Sequence, residues 1–262
     1  MRYATLMLLL ALIVASGCVE QPVSPSLQQG LEISIDAPSE VYKNEKFTVY
    51  ADVENFGNNT YEVDVDFFDT GAFSKSGKCK ESFTLKENEV RIIPCELVYQ
   101  GELEKETESK ISTEISYRTS LEFIQPIEFL SQEEYEQRKI TGKYRELPTR
   151  FLYNNGDVEI EIEMSENPVV KRGDRKHYVY IKIRNLGEGM ISKIEDIKIT
   201  TTPPNLLTCD IPPLVQQNGK FPTIACSLDV SSLKENFLNI FLQIYLSYNY
   251  EIKKIVYINV IN

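Results

Sequence analysis

The sequence predicts an all-β chain built as two tandem β-sandwiches, and three observations carry that expectation. Apolar and polar residues alternate over many short stretches, the mark of strands with one buried face. Landmarks around Asn-x-Gly, Cys and Ser-Tyr recur in the same order along the chain. Four of the five cysteines fall into two pairs, one pair in each copy of that repeat.

The repeat is read from spacing. Asn55-Phe56-Gly57 precedes Cys79 and Asn185-Leu186-Gly187 precedes Cys209, with 22 positions from Gly to Cys in both cases. Cys79 and Cys95 are 16 apart, Cys209 and Cys226 are 17 apart, and a Tyr follows 22 positions later each time, at Tyr117 and Tyr248. The expected organisation is a signal at residues 1–17, a lipidated Cys18 with a polar tether at 18–30, a first sandwich at 31–130, a linker at 131–156 and a second sandwich at 157–262.

At the amino terminus, the basic Arg2 precedes a stretch from Ala4 to Ala15 that is apolar but for Thr5. That order is the pattern of an export signal. The run is shorter than the roughly 20 residues of a membrane span. Ala15-Ser16-Gly17-Cys18 closes it and resembles the lipobox of prokaryotic lipoproteins, with Ala15 where that motif commonly has Leu. The resemblance implies lipidation of Cys18 and display on the extracytoplasmic face of a prokaryotic, archaeal cell membrane. A cleaved signal with an incidental cysteine and a short uncleaved anchor are the alternatives. Residues 19–30 are polar with two Pro and no periodicity, which reads as a tether.

Each copy then reads as strands. Phe47, Val49, Ala51 and Val53 alternate with Thr48, Tyr50, Asp52 and Glu54, and Val63, Val65 and Phe67 with Glu62, Asp64 and Asp66. Val179, Ile181 and Ile183 do the same in the second copy, and Ile111, Ile115 and Tyr117 match Leu242, Leu246 and Tyr248. Asn55–Asn59 and Asn185–Gly189 are turn sequences. Seven short strands in roughly 100 residues predict an immunoglobulin-like sandwich. Between the copies, Ser131–Lys139 predicts a short helix, capped by Ser131 and acidic in its first turn. Residues 140–156 read as a connector.

Val49 to Gly57 and Val179 to Gly187 are alternating strands ending in Asn-x-Gly. They resemble the CARDB-type adhesion-related domains, immunoglobulin-like modules repeated in bacterial and archaeal surface proteins. The resemblance implies tandem extracellular modules with an adhesion-related role. The cysteine pairs are not part of that pattern.

An exported setting lets disulfides persist, and the repeat selects Cys79–Cys95 and Cys209–Cys226 from the three possible pairings. The rival is a four-cysteine metal site, which the absence of close Cys-x-x-Cys spacing disfavours. His177 is the only histidine. It lies eight residues before Asn185, as Phe47 lies before Asn55, which places it in an inward register as a structural residue. No Gly-x-Ser-x-Gly elbow occurs. Asp64, Asp66 and Asp69, and Glu102, Glu104, Glu106 and Glu108, read as solvated strand faces rather than Ca²⁺ ligands. Asn58-Asn59-Thr60 is the one Asn-x-Ser/Thr sequon, making Asn58 a glycosylation candidate. Tyr50, Tyr178 and Tyr180 read as outward aromatics, packing across strands or offering a platform to a glycan.

Composition bounds the function. With 28 basic against 39 acidic residues the net charge is −11, which repels phosphate backbones and disfavours nucleic acid as a partner. One His and no Trp leave little for His-based catalysis or for sugar stacking. The expectation is a non-enzymatic surface protein with no cofactor and no metal, anchored by lipid, that adheres to or binds a protein or glycan partner. The alternatives are a scaffold or binding subunit of a transporter, secretion or envelope complex, and a carbohydrate-active accessory protein.

Overall fold

Alternation along the chain becomes sixteen strands and one helix in the computed structural model, which describes residues 30–57, 59–101, 106–173, 175–217 and 220–262. The signal, Cys18, nearly all of the tether, Asn58, Glu102 and Glu104 lie outside the described residues. The chain is mostly β, as its alternation predicts. Among the described residues no helix is long and apolar enough to cross a membrane.

The first half carries β1 (Leu31–Asp36), β2 (Glu40–Tyr42), β3 (Lys46–Asn55), β4 (Tyr61–Asp69), β5 (Phe73–Lys75), β6 (Lys80–Leu85), β7 (Val90–Tyr99) and β8 (Thr107–Leu130). Helix α1 (Gln132–Ile140) follows. The second half carries β9 (Arg150–Asn154), β10 (Val158–Met164), β11 (Val169–Val170), β12 (His177–Asn185), β13 (Met190–Thr202), β14 (Leu207–Asp210), β15 (Ile224–Leu228) and β16 (Phe237–Ile261). Residues 31–130 thus carry eight strands where alternation suggested seven, and residues 157–262 carry the seven expected, β10 to β16. In the strands singled out above, Val49, Ala51, Val53, Val63, Val65, Phe67, Val179, Ile181 and Ile183 are all buried.

Helix α1 forms where its cap and charges place it. The Ser131 hydroxyl accepts from Glu134 N–H at 3.1 Å, and Glu133 and Glu134 occupy the first turn, with Arg138 and Lys139 in the last. Both charge placements favour the helix dipole. The connector differs from the expectation over 140–156, because it contains β9. Phe151 and Tyr153 pack from β9 onto the core. That strand is five residues long among polar neighbours, too short for alternation to stand out.

Three sheets result. One outer sheet has the order β1-β3-β7-β5, and the other β14-β15-β12-β10-β9. The third, central sheet runs β13-β16-β8-β4-β6. In the central sheet the long strands of the two halves lie side by side. Every residue of β8 lies opposite one of β16, from Thr107 against Val260 to Leu130 against Phe237. Each long strand therefore begins in its own half and ends in the other. Strand β2 pairs in parallel with the far end of β16, and β11 with the far end of β8. Alternation marks residues that share a face, but it carries no information about the partner strand or the sheet.

From Ile111 to Phe129 the inward positions of β8 are the odd ones, and from Ile240 to Val260 those of β16 are the even ones. Both outer sheets therefore pack on the same face of the central sheet. One apolar core runs without a break through both halves. Each fully buried Val, Ile or Leu in it contributes about 1.5–3 kcal/mol relative to exposure.

The two disulfides bond Cys79 to Cys95 and Cys209 to Cys226. Cys209 and Cys226 face each other on the adjacent strands β14 and β15 of one outer sheet. Cys79 lies in the turn between β5 and β6, and its carbonyl accepts from Phe67 N–H of β4 at 3.0 Å. Cys95 is on β7. The first bond thus ties the central sheet to an outer sheet, whereas the second stays within one sheet.

Candidate functional site

At the middle of the β8/β16 ladder the two outer sheets meet, and the chain places a polar cluster there. Tyr117 of β8 lies opposite Tyr250 of β16, and Thr119 opposite Tyr248. Tyr61 of β4 meets the Tyr117 ring edge-on at 5.5 Å, and Tyr117 meets Tyr250 at 5.5 Å. All four tyrosines are buried. A buried hydroxyl must find a partner or cost stability, and the β9–β10 hairpin supplies two. Its loop, Asn155-Gly156-Asp157, turns at Gly156 with φ 92°, a backbone conformation glycine adopts without strain.

Asn155 and Asp157 flank that glycine and are buried. Tyr117 OH donates to Asp157 Oδ2 at 2.8 Å. Asn155 Nδ2 donates to Tyr248 OH at 2.8 Å, and Asn155 Oδ1 accepts from Val158 N–H at 3.1 Å. Tyr250 OH accepts from Gly189 N–H at 3.1 Å. The repeated asparagines close the neighbouring turns: Asn55 Oδ1 accepts from Gly57 N–H at 2.9 Å, and Asn185 Nδ2 donates to Gly189 O at 2.6 Å. A Cβ on Gly187 would collide with the Tyr250 hydroxyl, so this landmark glycine is required for space rather than for φ.

Burial sets the electrostatics. It pushes the Asp157 carboxyl up, the Tyr117 hydrogen bond pulls it down, and burial prevails, leaving it at about 6. The same burial raises Tyr117 and Tyr248, with the Asp157 charge adding to it, and takes Tyr250 to about 12. The four phenols therefore stay neutral donors at physiological pH. The carboxylate is the group that changes charge near neutrality, and among the described residues no ion pair includes it.

Asp157 opens onto a cleft of about 470 Å³ between the two halves. Leu31, Ile33, Phe56 and Ile252 give it apolar walls, and Gly30, Gly156 and Gly187 bring backbone to its surface. At its edge Lys254 pairs with Glu188, and Glu32 adds a second carboxylate. A cleft of this size lies within the usual range for small-ligand sites. Its acidic groups outnumber its cations, so it attracts positive charge.

Asp157 escaped the sequence reading because it sits on the boundary drawn between connector and second copy. Its one legible signal is the Asn-Asn-Gly-Asp turn sequence, and nothing local says that the turn is buried.

The residues the sequence singled out lie elsewhere. His177 opens β12, faces inward and is buried. Its Nδ1 lies 2.8 Å from Glu166 Oε1. Burial lowers its pKa against the pull of Glu166. Asp66 pairs with Lys80 at 3.1 Å, Asp69 with Lys110 at 3.3 Å, and Asp64 accepts from Ser82. Those contacts make one charged strand face. The Tyr178 and Tyr180 rings lie 6.3 Å apart on an exposed face, inclined by 18°. Among the described residues no group of three or more His, Cys, Asp and Glu side chains is placed to hold a metal ion.

No family model matches the chain, and no curated protein matches it. Among solved structures, the secreted serine protease VesC from Vibrio cholerae is similar at 11% identity and a TM-score of 0.23, covering 88% of this chain. The match takes in 51% of the VesC chain. A likeness that distant carries no argument about fold or activity.

Proposed function

We propose that this is a non-enzymatic, lipid-anchored protein on the outer face of a prokaryotic cell membrane, binding a partner through two immunoglobulin-like halves. The observation that carries the reading is the pair of disulfides at matching positions of the repeat, with Cys95 and Cys226 fully buried. Such bonds persist in an oxidising, extracytoplasmic setting. The apolar run ending at Cys18 supplies the anchor, since two acyl chains hold a protein stably where one is marginal. The likeness of Val49–Gly57 and Val179–Gly187 to CARDB-type modules adds to the reading, as does the stacking of an outer sheet on each end of the central one. The test is membrane fractionation. Cys18→Ser is expected to release the protein from membranes, and unchanged retention would overturn the anchor.

A second reading, a scaffold in an envelope complex, is favoured by the uncovered face of the central sheet. Phe237, Phe241, Ile255 and Tyr257 are exposed there, and exposed apolar groups gathered on one face mark interaction surfaces. A stable complex co-purifying in mild detergent is the outcome that reading requires.

A further inference from the structure

We propose that the cleft beside Asp157 binds an organic cation, an ammonium or guanidinium group carried on a short apolar stem. The inference rests on the reading of the chain as a binding protein and names the chemistry of one ligand.

Leu31 pairs with Asn55 in the first half, and Val158 pairs with Asn185 in the second. The residues just before them, Gly30 and Asp157, therefore hold equivalent positions. Each uses its carbonyl in the same way, accepting from Phe56 N–H at 3.2 Å and from Leu186 N–H at 2.8 Å. The fold needs that carbonyl and, as Gly30 demonstrates, no side chain. At the second position one carboxylate oxygen serves the Tyr117 hydroxyl, and the other is in excess of what the turn requires.

Asp157 is only 7% exposed, with Oδ2 taken by Tyr117. A Cβ on Gly30 would stand 3.9 Å from Oδ1, and both residues line the cleft. A buried carboxylate is unfavourable without a cation. Lys254, at the cleft's edge, is engaged by Glu188. A ligand cation at Oδ1 completes the pair, and Leu31, Ile33, Phe56 and Ile252 cover its stem.

Titration calorimetry on the full chain in detergent tests this with agmatine and n-butylamine as cations and n-butanol as their uncharged counterpart. An N-acetyl-Gly-Lys-Gly-amide peptide presents the same group as a partner's side chain. At pH 8 the amines are expected to bind at least tenfold more tightly than butanol. Their affinity should fall about tenfold per pH unit below about 6, as Asp157 takes up a proton. The groups facing that titration are Tyr61 from β4, Tyr117 from β8, Tyr248 and Tyr250 from β16, and Glu32, Glu188 and Lys254 at the rim. Asp157→Asn should abolish binding at every pH. Gly30→Leu, whose Cβ would stand 3.9 Å from Asp157 Oδ1 at the cleft wall, should block it.

Binding of the small amines identifies a free ligand, and binding of the peptide alone identifies a partner's basic side chain. Amines that bind no better than butanol, or equally well to both variants, overturn the proposal. A partner captured from membranes by wild type and Asp157→Asn alike would overturn the cleft as its site while leaving the surface-binding reading in place.

Discussion

At the seam between the outer sheets, Gly30 and Asp157 occupy equivalent backbone positions and make the same main-chain hydrogen bond, yet only one carries a side chain. The disulfides differ in a similar way. Their sequence separations of 16 and 17 are nearly equal, but one joins two layers and the other two neighbouring strands. The repeat therefore preserves strand order and leaves the contents of equivalent positions free to diverge. Where they diverge at a cost to stability, as at Asp157, function is the reason to look for.

The comparison breaks most completely if the halves are separated. Fragments 19–141 and 142–262 are each expected to be unfolded alone, because each lacks the strand that the other supplies along the β8/β16 ladder. Mixed, they should regain the native far-ultraviolet circular dichroism and a single unfolding transition. A fragment that folds cooperatively by itself would show the shared sheet to be dispensable.

Removing the disulfides one at a time sharpens it. Chain entropy alone assigns each closed loop about 3 kcal/mol, so Cys79→Ser/Cys95→Ser and Cys209→Ser/Cys226→Ser should lower denaturant stability equally. A larger loss for the first pair would show that holding two layers together matters beyond loop closure.

Asp157→Asn asks what the asymmetry costs. In the unfolded chain the carboxyl titrates near 3.8, and in the fold near 6. Below 3.8 both states are protonated and the group is neutral to stability. As pH rises through that window the folded state must ionise a buried acid, and stability falls by about 3 kcal/mol at most. The amide removes that penalty while still accepting from Tyr117. Chemical denaturation should find the variant more stable than wild type at pH 8, by up to about 3 kcal/mol, and unchanged at pH 3.5. A variant equally or less stable at pH 8 would refute the cost.

The smallest effect belongs to α1, which has no equivalent among the described residues of the first half. Ser131→Ala removes the cap on Glu134 N–H and should cost about 1 kcal/mol, leaving the cleft titration untouched.

Local order was legible throughout the sequence. Val49, Ala51 and Val53 face inward because neighbours two apart share a face, Ser131 caps because its hydroxyl meets a free N–H within one turn, and the cysteine pairs follow the repeat. These features depend on residues close together in the chain or on a spacing that recurs. Pairing Tyr117 with Tyr250 joins residues far apart in sequence, and alternation is the same whichever strand lies alongside. The exchange of strand ends, the burial of the Asn155–Asp157 loop and the cleft before it were decided only when the two long strands met. A carboxylate's environment depends on what covers it, and what covers Asp157 comes from both ends of the chain.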